Sequence, residues 1–301
     1  MSATSTEEWT IGRLLTWTAD YLKKQGADSP RLDAEVLLAH ARGCQRIQLY
    51  TAFGDLADET LRNSFRELVR QRAAGKPVAY LVGRREFYSL SFQVSPAVLI
   101  PRPETEFVVI EVLDRLKQHF AAGGEGQSVE IADVGTGSGA IAVAVAKHAA
   151  QARITAVDLS PEALEIAGRN VAEHHVGERV MLVQSDLLAG LPADQRFDVI
   201  ASNPPYVSEP EYRDLAKEVR DYEPKLALVG GEAGTEIIQR LLAQSVERLR
   251  PGGWLIFEIS PMILDSVRQL IDAEPRLRFV TLVKDLAGYP RVITVQRTEA
   301  D

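Results

Sequence analysis

Two segments of this chain combine residue types and spacing that can do chemistry. The first is Asp133-Val134-Gly135-Thr136-Gly137-Ser138-Gly139, which follows an apolar run. Glycines placed there let the backbone turn tightly and approach a ligand where a side chain would collide. Taken alone, the loop is weakly diagnostic. Gly135, Gly137 and Ala140 also satisfy the dinucleotide pattern G-x-G-x-x-G/A, and Asp158 stands about where a ribose-binding acid would, so a nicotinamide oxidoreductase is a rival reading. Two further acids shift the balance. Asp133 precedes the glycines, where its charge complements a cationic group and repels pyrophosphate. Asp186 ends the third apolar strand, placed to accept a hydrogen bond from an adenine amino group. Acids at the ends of successive strands suit S-adenosyl-L-methionine, which carries a sulfonium, an amino group, a ribose diol and adenine but no phosphate. The plainer reading of each acid is a helix cap or turn residue.

The second segment is Asn203-Pro204-Pro205-Tyr206, directly after the apolar strand Phe197-Asp198-Val199-Ile200-Ala201. Two prolines fix the backbone and remove two N–H donors. What remains is rich in acceptors: the Asn203 side-chain carbonyl and the Pro204 backbone carbonyl. They can grip the two hydrogens of an –NH2 group on a planar π-system, while Tyr206 offers a stacking face. An amide nitrogen is a poor nucleophile because its lone pair is delocalised. Fixed acceptors at its hydrogens stabilise the positive charge that grows on nitrogen as it attacks a methyl group.

These segments need elements to position them. From about Pro103 the sequence alternates helix and strand. A helix is expected over Glu104–His119, a loop at Gly123-Gly124-Glu125-Gly126, and apolar strands near Val129–Val134, Ile154–Val157, Val180–Val183, Val199–Ser202 and Trp254–Glu258. Apolar strands alternating with amphipathic helices predict an α/β, doubly wound, Rossmann-like parallel sheet, which binds ligands at the carboxyl ends of its strands. Two β-like stretches, Arg278–Val283 and Arg291–Val295, are expected to close the sheet with an antiparallel strand. Upstream, residues 9–76 read as helices: Ile11, Leu14, Leu15 and Leu22 mark the first. Ser29-Pro30 opens a second that Gly43 closes, Gln45–Ala52 forms a short third, and Asp58–Ala74 a fourth. Arg62, Arg66, Arg70 and Arg72 on that fourth helix read as a solvated face, with docking of an acidic partner as the alternative. Arg85–Val94, with Phe87, Tyr88 and Phe92, predicts a linking β-hairpin. The domains expected are thus a helical unit (1–84), a hairpin linker (85–98) and an α/β unit (99–301) that carries both chemical segments.

The bulk numbers agree with a two-domain globular protein: 301 residues, 46% hydrophobic and 25% charged. The net charge of -8 divides into +2 over residues 1–84 and -10 over the rest, which argues against a dedicated polyanion binder and predicts no direct nucleic-acid partner. The single cysteine, Cys44, reads as a small buried apolar residue in a reducing compartment. The start, MSATSTEEWT, lacks the basic and apolar regions of a signal peptide, and no apolar run is long enough to span a bilayer. A cytoplasmic monomer without membrane contact is expected. The five histidines show no ligand spacing with cysteine, so no metal is implied, and His174-His175 read as a helix end.

The sequence resembles the release-factor glutamine methyltransferase family over nearly its whole length. The resemblance rests on Leu99-Ile100-Pro101-Arg102-Pro103-Glu104-Thr105-Glu106, the GTGSG loop at 135–139, Asp158, the NPPY segment at 203–206, Tyr222-Glu223-Pro224 and Gly230-Gly231. IPRPETE and NPPY together are specific; NPPY alone is shared with adenine amino-methyltransferases. The resemblance implies a small helical N-terminal domain, a seven-stranded methyltransferase sheet, and methylation of a glutamine side chain in class I peptide chain release factors. It also implies that Gly135, Thr136, Gly137, Ser138, Gly139 and Asp158 hold S-adenosyl-L-methionine and that Asn203, Pro204, Pro205 and Tyr206 position the amide. Leu187 departs from relatives that carry an aromatic beside the adenine, and weaker cofactor packing is expected there. The alternative function is a nucleic-acid adenine amino-methyltransferase, which calls for a basic target-reading region that this chain lacks.

Overall fold

The computed structural model describes residues 8–119 and 128–298, so the expected loop at Gly123–Gly126 lies outside the described residues. The chain divides into two compact units. One runs up to Gly83 and also takes in Lys217–Tyr222; the other holds Arg84–Ala216 and everything from Glu223.

The first unit is helical. Helix α1 (Ile11–Lys24) starts where the Thr10 hydroxyl accepts the Arg13 N–H, and it buries Ile11, Leu14, Leu15 and Leu22. Helix α2 (Pro30–Arg42) has proline at its first position and ends at Gly43 with φ 67°; the Ser29 hydroxyl makes no capping bond. Helix α3 (Arg46–Thr51) and helix α4 (Glu59–Ala73, capped by Asp58) follow, then a short α5 (Val78–Val82) that the sequence pattern did not announce. Cys44 is half-buried and packs against the core of this unit. Arg72 does not belong to a solvated basic face: its side chain is only 10% exposed and pairs with Asp33 at 2.7 Å and Glu218 at 2.6 Å. A guanidinium withdrawn from water needs such partners to offset its desolvation. Arg70 stays exposed, paired with Glu67.

The second unit opens with the hairpin β1 (Arg84–Phe87) and β2 (Leu90–Gln93). Tyr88 and Ser89 at its tip both have positive φ, 51° and 58°, the geometry of a type I′ turn whose twist matches that of the strands. A 3-10 turn at Pro103–Thr105 leads into α6 (Glu106–His119). Then come β3 (Val129–Val134), α7 (Ala140–His148), β4 (Ala152–Asp158), α8 (Pro161–Glu173), β5 (Val180–Gln184), β6 (Phe197–Ser202), β7 (Val207–Ser208) and α9 (Glu209–Asp214). Helix α10 (Lys217–Arg220) belongs to the first unit. The chain finishes with β8 (Val229–Gly231), α11 (Glu236–Arg248), β9 (Leu249–Glu258), α12 (Leu264–Asp272), β10 (Leu277–Lys284) and β11 (Pro290–Arg297). As expected, His174 caps α8 and His175 leaves it with φ 56°.

Seven strands form one sheet in the order β10-β11-β9-β6-β3-β4-β5. The five inner-to-edge strands from β9 to β5 are parallel, whereas β11 runs antiparallel to both β9 and β10. The last strand therefore inserts between β9 and β10, and β10 takes the edge. Apolar residues of α6, α7 and α8 cover one face of the sheet and those of α11 and α12 the other. Among the described residues, no helix is long and apolar enough to cross a membrane.

Candidate functional site

Strand register brings the two chemically suggestive segments together. Val134 pairs with both Val157 and Ser202, Asp158 with Gln184, and Ser202 with Phe257. The carboxyl ends of β4, β3, β6 and β9 therefore lie level, so Asp158, Gly135, Asn203 and Glu258 emerge side by side. The chain leaves β3 for β4 and β5 on one side and returns to β6 on the other, which makes the gap between β3 and β6 the topological switch point. The Ser202 hydroxyl donates to the Val134 carbonyl at 2.7 Å and locks these two exits together.

The glycine loop is built from its own backbone. The Gly135 and Thr136 N–H groups both donate to the Val157 carbonyl at 2.9 Å, and the Gly137 N–H donates to Asp158 Oδ2 at 2.8 Å. Gly135 and Gly137 have φ of 70° and 55°, and a Cβ built on either would meet no protein atom within 4 Å. Both face open space that another side chain would occupy. Asn170 on α8, fully buried, fixes the loop from behind: its Nδ2 donates to the Ser138 carbonyl at 2.8 Å.

The acids differ in their environments. Asp133 is 1% exposed; its Oδ2 accepts from the Thr136 hydroxyl at 2.6 Å and from the Ala142 N–H at 3.1 Å, and its Oδ1 has no partner. Burial, with Asp158's charge adding to it, pushes its carboxyl up to about 7, although the Thr136 and Ala142 hydrogen bonds pull the other way. Asp158 is also raised by burial, against hydrogen bonds from the Ser160, Gly137 and Leu159 backbone. Asp186 is half-exposed and pairs with Arg240 at 2.6 Å. Leu187 takes φ 51° and packs against the core beneath it.

A cavity of about 220 Å³ opens over these strand ends. One water needs roughly 10–15 Å³ of such space, so the cavity takes a ligand of many atoms. Of the residues singled out from sequence, Gly135, Thr136, Gly137, Ser138, Asp158, Asp186, Leu187, Asn203 and Pro205 line it, whereas Asp133, Gly139, Pro204 and Tyr206 do not. Its described wall carries two carboxylates and no lysine, arginine or histidine. Such a wall suits a cationic or neutral ligand and opposes a phosphate.

The acceptor segment is held from several sides. Asn203 Nδ2 donates to the Thr105 hydroxyl oxygen at 3.0 Å, and Thr105 in turn donates to Glu258 Oε2 at 2.6 Å. The Tyr206 hydroxyl donates to Glu258 Oε1 at 2.9 Å. Burial raises the Tyr206 hydroxyl well above its ordinary value, with the Glu258 charge and hydrogen bond adding to it. The tyrosine is therefore a permanent donor here, and its ring packs partly into the core rather than standing free. Behind the loop, β7 pairs in parallel with β8, and a Cβ at Gly230 would fall inside contact distance of the Pro205 carbonyl oxygen. Glu223, 5% exposed, accepts the Ile100 N–H at 3.1 Å and bonds the Arg102 guanidinium. Reading the sequence missed Thr105 and Glu258 as members of this network. The signal was present: Glu258 ends an apolar strand, as Asp158 does.

Sheet order, strand-end acids and an acceptor-rich loop at the switch point together define a Rossmann-like methyltransferase. A methyltransferase from Pyrococcus furiosus shares this fold, with a TM-score of 0.51 and 20% identity over 77% of this chain and 98% of that one. A family model described as "Methyltransferase small domain" matches residues 112–219, and one described as "PrmC N-terminal domain" matches residues 13–83. The release factor glutamine methyltransferase of Rhodopirellula baltica is 53% identical over 298 residues, covering 99% of this chain and all of that one. Its counterpart in Koribacter versatilis is 43% identical over 277 residues, 91% of this chain and 93% of that one. The chain belongs to the release factor glutamine methyltransferase family, and it is a methyltransferase enzyme.

Proposed function

We propose that this enzyme transfers the methyl group of S-adenosyl-L-methionine to the side-chain amide nitrogen of a glutamine in peptide chain release factors, as a cytoplasmic monomer. The observation that carries the reading is Asn203. Its Nδ2 is taken by Thr105, which leaves Oδ1 as an acceptor on the wall of a cavity that carries acids and no bases.

The residues present fit the cofactor. The Asp158 and Asp186 carboxylates on the wall and the open space in front of Gly135 and Gly137 are what a cationic ligand held against this loop would use. Asp158 has the acceptors for a ribose diol, Asp186 those for an adenine amino group, and Leu187 an apolar surface for the ring. When bound, the cofactor would supply an electrophilic methyl group, the electron pair of its bond to sulfur staying on sulfur, and the amide nitrogen that takes the methyl would give up one proton to solvent.

The protein's part is binding and orientation. Asn203 Oδ1, on the cavity wall, accepts an amide hydrogen and stabilises the positive charge that develops on nitrogen; Pro204, expected to accept the second, does not line the cavity. Pro205 stiffens the loop, and Tyr206, tied to Glu258, sets its exit. Positioning of this kind supplies much of the acceleration in a reaction between two held partners. The helical unit is read as the recognition module, because one glutamine side chain offers little binding energy of its own.

The test is transfer of label from S-adenosyl-L-methionine to release factor or to duplex DNA, with wild type and Asn203→Ala. Release factor is expected to be labelled at glutamine. Asn203→Ala should lower turnover about 100-fold with cofactor affinity within a few-fold. Labelling of DNA in place of protein would establish the adenine reading instead.

A further inference from the structure

Glu258, a carboxyl group 1% exposed, accepts directly from Tyr206 of the acceptor loop, yet it does not line the cavity. Resting on the amide-transfer reading, we infer that Glu258, acting through Thr105, is a positioning residue that fixes which end of the Asn203 amide faces the substrate.

Glu258 accepts on both of its oxygens: the Thr105 hydroxyl donates to Oε2 at 2.6 Å and the Tyr206 hydroxyl to Oε1 at 2.9 Å. Thr105 has then used its one hydrogen. Toward Asn203, 3.0 Å away, its oxygen can only accept, and only the Nδ2 end of that amide can donate. The amide is thereby held with Oδ1 turned away from Thr105, the orientation an incoming –NH2 group requires. Reversed, Asn203 would present two hydrogens to two hydrogens.

Two strand ends and one turn build this chain of hydrogen bonds. Thr105 comes from the 3-10 turn before α6, Asn203 directly follows β6, and Glu258 is the last residue of β9, one beyond the Phe257 that pairs with Ser202. Buried as it is, Glu258 cannot touch a substrate, so its influence must pass through its partners. Burial raises its carboxyl above the ordinary value, with Glu104 adding to this; the Thr105 and Tyr206 hydroxyls and the Arg291 charge pull it down. Those two hydroxyl donors and Arg291 are the features that favour the acceptor form.

The experiment compares the full-length wild type with Thr105→Val, Thr105→Ser, Glu258→Gln and the Thr105→Val/Glu258→Gln double variant. It measures kcat and KM for release factor at saturating S-adenosyl-L-methionine, and affinity for the demethylated cofactor by calorimetry. Valine keeps the shape of Thr105 and removes the hydroxyl; kcat should drop at least about 10-fold with KM and cofactor affinity within about threefold. Serine keeps the hydroxyl and should stay within about threefold of wild type. A glutamine at this position offers one acceptor oxygen where two hydroxyls now donate, so Glu258→Gln should also lower kcat, and it should add nothing in the Thr105→Val background. Near-normal kcat in Thr105→Val, equal loss in Thr105→Ser, or losses that multiply in the double variant would each overturn the inference. If the valine variant does not fold, Glu258→Gln and Thr105→Ser carry the same comparison: kcat lost in the first and kept in the second, or the inference falls. Wild-type enzyme that labels no glutamine overturns the parent reading instead, and the two failures are distinct.

Discussion

Asp133 offers a sharp pH test of the burial argument. Its carboxyl is 1% exposed, with one oxygen unpartnered, and burial pushes it from an ordinary 3.8 up to about 7. The folded protein therefore holds a proton between those values that the unfolded chain has released. Stability must fall as pH rises through that window, by about 1.4 kcal/mol per unit, and level off above it. From pH 5 to pH 8 the loss traceable to this one group is about 2–3 kcal/mol. Asp133→Asn keeps an acceptor for Thr136 and Ala142 and removes the titration, so the variant should gain about that much on wild type between the two pH values. Urea denaturation of both proteins at pH 5 and pH 8 reads the difference. An offset that stays the same at both would mean Asp133 is ionised across the whole range, and the desolvation reasoning would be wrong. The same group reports on the ligand. A cationic group seated on the loop that follows Asp133 favours the charged carboxylate through its field, without touching it, so S-adenosyl-L-methionine binding at pH 6 should release a proton from wild type and none from the variant. Calorimetry in buffers of different ionisation enthalpy detects it.

Three further outcomes follow from other contacts. Asp158→Ala removes the acceptor for the Gly137 N–H and the cavity's innermost strand-end charge, and should weaken cofactor binding by about 1–3 kcal/mol in calorimetry. Gly230→Ala forces its Cβ against the Pro205 carbonyl and displaces the acceptor loop; turnover should fall about 100-fold while cofactor affinity stays within a few-fold, as measured by steady-state kinetics and calorimetry. Arg72→Met leaves Asp33 without its buried partner and should destabilise the protein by about 3 kcal/mol in urea denaturation, with no direct effect on kcat.

The sheet was legible because each strand is an apolar run with a helix-period segment after it, and the glycine loop and Asn203 were legible because both stand at strand ends. What sequence did not disclose depends on contacts between distant segments. Helix α5 has five residues, too few for a period to show. Strands β7 and β8 exist only because the loop after Tyr206 and the Val229–Gly231 stretch lie side by side. That β11 would slip between β9 and β10 follows from pairing, which composition does not encode. Arg72 shares helix α4 with exposed arginines, and only the positions of Asp33 and Glu218 distinguish it. Within the site, the acids of β3, β4 and β5 were noticed because a ligand-binding loop adjoins them. Glu258 obeys the same strand-end rule but follows β9, whose neighbour in space is the NPPY segment more than fifty residues earlier in the chain.

The motifs that looked unrelated along the chain converge on one physical requirement. An acceptor accelerates attack by a weak nucleophile only if it is already in place, since acceptors that must reorganise during the reaction give back what they gain. Thr105 and Glu258 hold the Asn203 amide and the Tyr206 hydroxyl from one side of the loop. Gly230 and Gly234 let a second strand lie against its backbone from the other, where any Cβ would collide with the Pro205 or Tyr206 carbonyl. The segment that carries Thr105 is itself anchored, because Glu223 holds the Ile100 N–H and the Arg102 guanidinium a few residues upstream. The IPRPETE segment, NPPY, Glu223 and Gly230 are thus parts of one frame around the Asn203 carbonyl oxygen. Loosening any member should cost turnover before it costs cofactor affinity.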